Sequence, residues 1–141
     1  MPRPRALIEA LTRITTDELA DAATLRAAAR AVPYAAMRAQ LTLLAEREED
    51  HARALAARLT ALGGTPPPPQ APRAGEGWEG LLRALESEKA DRVTHLEEAW
   101  SLACEETRAL LGRLLAEEEE NYRTLLDLIA RLDPHALRRQ A

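Results

Sequence analysis

The sequence predicts an all-α fold, an antiparallel four-helix bundle made of two helical hairpins, and three observations carry that expectation. Ala, Leu, Glu and Arg dominate the 141 residues, while Phe is absent and Trp78, Trp100, Tyr34 and Tyr122 are the only aromatic residues. That vocabulary favours helix over strand. Apolar residues recur in alternating steps of three and four, the spacing of one helix face. Only two places break the spacing hard, Pro33 and the stretch from Gly63 to Pro72. At this length one domain with one core is expected, spanning 1–141.

The first helix, about 4–32, carries Leu7, Leu11, Ile14, position 18, Leu25 and Val32 on one stripe. The second, about 34–62, carries Met37, Leu41, Leu44, positions 48 and 51, Leu55, Leu59 and Leu62. The third, about 77–102, reads Trp78, Leu81, Leu85, position 88, then 95, Ala99 and Leu102. The fourth, about 104–132, reads Leu111, Leu114, positions 118 and 121, Leu125, Leu128 and Leu132. Each is a bundle seam. Short connections at Pro33 and near residue 103 make each pair an antiparallel hairpin. Gly63-Gly64 stops the second helix, and four consecutive prolines, Pro66 to Pro69, demand an extended segment. Residues 63–76 are therefore the long crossover between the hairpins.

The two halves are related. Laid over one another at a constant offset of 70, residues 18–59 and 88–129 share 13 identities in 42 positions, among them Glu18/Glu88, Asp21/Asp91, Leu41/Leu111, Glu48/Glu118 and Leu55/Leu125. This reads as a duplicated hairpin.

Chemistry enters where the seams are interrupted. Glu18, Glu48, Glu88 and Glu118 stand where leucine is called for, and so does His51. Glu18 and Glu48 are equidistant from Pro33, and Glu88 and Glu118 from residue 103, so the four carboxylates are expected in one layer. Buried carboxylates repel one another and must be protonated, paired with arginine or neutralised by bound cations. Glu48 and His51, three apart, offer an oxygen and a nitrogen to one point, a donor set that suits iron, manganese or zinc. Arg92, one turn beyond Glu88, is an alternative counter-ion. His95 reads as a core histidine held by Asp91, and Cys104 as a small apolar residue at the corner.

These residues, with the segment LLAEREEDHARALAARLTALGGTP, resemble the ferritin-like, rubrerythrin-like di-iron carboxylate family over essentially the whole chain. In that family two helices give one Glu each and two give Glu-x-x-His. The resemblance implies Glu18 and Glu88 as terminal ligands, Glu48 and Glu118 as bridging ligands, and His51 as nitrogen ligand of the first metal. Asn121 stands where the second histidine belongs, which implies a weaker second position. No cysteine-rich rubredoxin segment is present. Two iron ions, or manganese or another divalent metal, are the implied cofactors. A ferroxidase or peroxidase-type oxidoreductase, or an iron-handling protein, is the implied activity. The alternative is a metal-free or single-metal scaffold acting as an interaction module.

The remaining composition bounds partners. A net charge of −4 disfavours nucleic acid. The single cysteine excludes an internal disulfide or a thiolate cluster built from one chain. No apolar run approaches the ~20 residues that span a bilayer, and the first residues lack a signal-peptide pattern. A cytoplasmic homodimer or larger homo-oligomer with metal ions as partners is the expectation.

Overall fold

The computed structural model describes residues 4–132. Four helices follow one another, α1 (Arg5–Ala31), α2 (Ala35–Ala61), α3 (Gly77–Leu102) and α4 (Glu105–Leu132), and no strand occurs among the described residues. The fold is the all-α four-helix bundle. α1 packs against both α2 and α3, α4 packs against α3, and α2 and α4 touch only lightly. No described helix is long and apolar enough to cross a membrane.

The corners explain how the halves relate. Val32 ends α1 with its N–H on the Ala28 carbonyl, and Ala103 ends α3 with its N–H on Trp100. Tyr34 and Cys104 open the following helices, their carbonyls accepting from Arg38 and Arg108 at 2.9 Å each. Pro33 has no counterpart. The first corner thus holds residues 32–34 and the second only 103–104. Equivalent positions in α2 and α4 differ by 70, but in α1 and α3 they differ by 71.

That missing residue corrects the expected face of α3. A one-residue slip rotates a helix by about 100°. The buried stripe of α3 is Leu82, Leu85, Lys89, Arg92, Leu96 and Ala99, matching Leu11, Ile14, Glu18, Asp21, Leu25 and Ala28 of α1. Trp78 and Leu81 are half-buried beside the core, Leu102 is exposed, and Glu88 turns outward. His95 is only half-buried, with Nδ1 lacking a hydrogen-bond partner, and Leu96 takes the seam instead. Cys104 is exposed rather than packed.

α2 ends as its glycines suggest. Gly63 adopts φ 89°, and the Gly64 and Gly63 N–H groups reach back to Leu59 and Thr60 at 2.8 and 3.1 Å. The crossover is pinned near its far end. The Arg73 N–H donates to Thr24 Oγ1 at 2.8 Å and its Nε to Asp21 Oδ1 at 2.9 Å. Gly75 then runs so close to Gly80 that a Cβ would meet the Gly80 carbonyl carbon at 2.8 Å.

The apolar core comes in two parts. One gathers Leu25, Val32, Met37, Leu41, Leu85 and Leu125 near the first corner and the start of α3. The other gathers Leu11, Ile14, Leu55, Leu59, Leu96 and Leu111 towards the other end. At ~1.5–3 kcal/mol per buried large side chain, these two clusters are the main driving force for folding. Between them lies a slab of polar side chains.

Candidate metal centre

Every helix gives the slab two residues spaced by three, so both face the same way. They are Glu18 and Asp21 from α1, Glu48 and His51 from α2, Lys89 and Arg92 from α3, and Glu118 and Asn121 from α4. All eight are buried, none more than 3% exposed. Equivalent positions in α2 and α4 share a glutamate, Glu48 and Glu118, and differ at His51 and Asn121, while those in α1 and α3 carry opposite charges. Where α1 places two acids, α3 places two bases.

The bases answer the acids directly. Lys89 Nζ donates to Glu48 Oε1, to Glu118 Oε2 at 2.6 Å, and lies 3.8 Å from Asp21 Oδ2. Arg92 spans Glu18 Oε1 at 2.7 Å and Asp21 Oδ2 at 2.8 Å. His51 Nδ1 lies 2.9 Å from Glu118 Oε1 and 3.8 Å from Glu18 Oε2. Its Nε2 lies 2.6 Å from Glu117 Oε2. Asn121 donates to Glu48 Oε1 at 3.3 Å, and its carbonyl accepts from Arg47 at 3.2 Å. Two carboxylate oxygens, Glu18 Oε2 and Glu48 Oε2, are buried without any hydrogen-bond partner.

Protonation follows from this crowding. Burial and the nearby Glu18 push Glu48 well above the usual carboxylate range, against the pull of Lys89. Burial acts upward on Glu118 too, but Lys89 and the His51 hydrogen bond hold it well below that range. Burial would lower His51, yet Glu118 and Glu18 raise it to about 10. Lys89 and Arg92 likewise stay charged despite burial, because the carboxylates around them raise both.

Of the residues read from the sequence, Glu18, Glu48, His51 and Glu118 are brought together, with one donor atom of each lying within 4.8 Å of the others. Asn121 borders them through Glu48. Glu88 does not join them. It is 35% exposed and pairs with Arg73 at 3.4 Å, because the shorter corner turns it out and Lys89 in. Arg92 occupies the counter-ion place. Lys89 and Glu117 went unnoticed. The signal for Lys89 was available, since aligning the helices from their corners rather than without a gap pairs Leu11 with Leu82 and Leu25 with Leu96. Glu117 gave no signal within its run of four glutamates.

The match to known proteins agrees with this architecture. The family model described as a ferritin-like domain matches residues 8–134. The chain belongs to the ferritin-like family. Its fold is similar to that of a ferritin-like, diiron-carboxylate protein from Bacillus anthracis, with TM-score 0.79 and 20% identity over 92% of this chain and 99% of that one. It is also similar to Rhodobacter capsulatus bacterioferritin, a structure with a metal-free dinuclear site and haem iron, at TM-score 0.77 and 23% identity over 94% of this chain and 90% of that one. No curated protein matches.

Within this ferritin-like bundle the donors fit one ion. Metal–oxygen and metal–nitrogen bonds of ~2.0–2.2 Å put ligand atoms at most ~4.4 Å apart, so the four donor atoms need to close by only a few tenths of an ångström. Glu18 Oε2 and Glu48 Oε2, which no N–H group satisfies, are acceptors for it once Glu48 is ionised. A second ion fits poorly. Its place between Glu48 and Glu118 is bridged by the Lys89 ammonium, Glu88 is absent from the slab, and Asn121 offers only an amide.

Proposed function

We propose that this ferritin-like chain is a metal-handling protein that holds one divalent transition-metal ion, of the iron or manganese class, through Glu18, Glu48, His51 and Glu118. The observation that carries the reading is the convergence of one donor atom each from Glu18, Glu48, His51 and Glu118 within 4.8 Å, with one oxygen on each of Glu18 and Glu48 that no N–H group satisfies. Three carboxylates and one imidazole are a mixed oxygen and nitrogen set that suits such ions. When bound, the ion supplies Lewis acidity and, if iron or manganese, a one-electron couple. The chain's own residues do the rest. Glu18, Glu48, His51 and Glu118 bind, Lys89 ties Glu48 to Glu118, and Arg92 fixes Glu18 through one of its two oxygens. The leucine clusters on either side exclude water. Two-metal oxygen or peroxide chemistry is the second reading, and Lys89 is the observation against it.

The test is anaerobic titration of the chelator-treated protein with ferrous iron, read by calorimetry and by metal content per chain. One ion is expected. Binding must displace the proton that His51, raised to about 10, carries near neutral pH, so proton release accompanies binding and affinity rises with pH. The melting temperature should rise with metal, since only the folded chain has the site. No uptake together with an unchanged melting temperature would leave a metal-free scaffold held by its own ion pairs. Two equivalent ions would restore the dinuclear reading.

A further inference from the structure

The geometry points to Glu117 as the residue that positions His51 for metal binding, an inference that rests on the metal-holding reading above. The two ring nitrogens of His51 have different surroundings. Nδ1 faces the slab, 2.9 Å from Glu118 and 3.8 Å from Glu18. Nε2 faces away from it and meets Glu117 Oε2 at 2.6 Å. A metal needs a bare nitrogen on the slab side, so the ring hydrogen must stay on Nε2 when the imidazole becomes neutral. A carboxylate accepting from Nε2–H secures that tautomer, orients the ring and makes the ligating nitrogen more basic.

Glu117 has this part to itself. It is 47% exposed and stands on the wall of a cavity of about 420 Å³ between α2 and α4, which the light contact between those helices leaves open. The other charged groups on that wall are Arg47 and Asp50 from α2 and Arg113 and Glu120 from α4. Arg47 is engaged with Asn121, and Asp50 with Arg53. Glu117 lies on the far side of the ring from Glu18 and Glu118, so it is a positioning residue and not a ligand. Its neighbour Glu118 turns into the slab with the opposite task.

Cobalt(II) is a suitable probe because its visible absorption reports the ligand field. Glu117→Ala should weaken cobalt binding by about 10–100-fold and alter the absorption band. Glu117→Gln should recover part of the affinity, because its amide oxygen still accepts from Nε2–H. Glu120→Ala, on the same exposed run, should bind as wild type does. In the metal-free protein the His51 Nε2–H proton signal should be protected from solvent exchange in wild type and lost in Glu117→Ala. Wild-type affinity and an unchanged proton signal in Glu117→Ala would overturn the role of Glu117 while leaving the metal reading intact. Failure of the wild-type protein to take up cobalt would overturn both.

Discussion

Lys89→Met is expected to lower the stability of the metal-free protein by about 3–5 kcal/mol, because it removes one partner from a buried network and leaves the others in place. Methionine fills a similar volume, so packing contributes little to the loss. Glu48 and Glu118 would then face each other without the ammonium that now joins them. The deficit depends on pH in a defined direction. Carboxyl groups stripped of their cation have folded-state values raised above the unfolded ones, so they are tolerated at low pH and destabilise as pH rises through those values. The loss should therefore be small near pH 5 and large near pH 8. Divalent metal should restore much of it at the higher pH by supplying the missing charge. Urea unfolding of wild type and variant at the two pH values, with and without metal, checks all of this. A variant as stable as wild type at pH 8 would mean that Lys89 does not hold the slab together.

The second large effect concerns stoichiometry. Lys89 occupies the position that corresponds to Glu18, and Asn121 the one that corresponds to His51, once the halves are aligned from their corners. Lys89→Glu combined with Asn121→His should therefore raise metal content from one ion per chain to two. The same double variant should be poorly folded without metal, because it gathers one more carboxylate into the layer and removes a cation. Asn121→His alone should stay at one ion, since the Lys89 ammonium still bridges Glu48 and Glu118. Metal analysis after anaerobic loading separates these outcomes. A single ion in the double variant would show that Arg92, and not Lys89, keeps the second position closed.

These variants also mark what the sequence disclosed and what it hid. The four helices, the Pro33 corner, the proline-rich crossover and the convergence of Glu18, Glu48, His51 and Glu118 were all legible, because each rests on local signals: periodicity, breakers and equal distance from a turn. The face of α3 was not. Leu81 and Leu82 are adjacent, so an apolar stripe can begin at either, and both stripes meet charged residues further along. The buried stripe runs instead through Lys89 and Arg92, which an apolar pattern rejects. Those cations are stable inside only because Glu18, Asp21, Glu48 and Glu118 arrive from other helices, a fact of tertiary structure. The ungapped repeat reinforced the wrong face, since Glu18/Glu88 and Asp21/Asp91 are identities of sequence but not of position.

The division of the core into two leucine clusters bears on how the molecule comes apart. A bundle with one continuous apolar seam transmits disorder at either end along its whole length. Here the same four helices run through both clusters, but the packing between them is a layer of ion pairs in place of leucines. The firmness of that layer is therefore expected to set how far an opening at one end spreads to the other. A rigid layer makes the four helices yield together, and a loosened one lets each end open alone. If the layer takes up a metal ion as proposed, hydrogen exchange at both tips is expected to slow together.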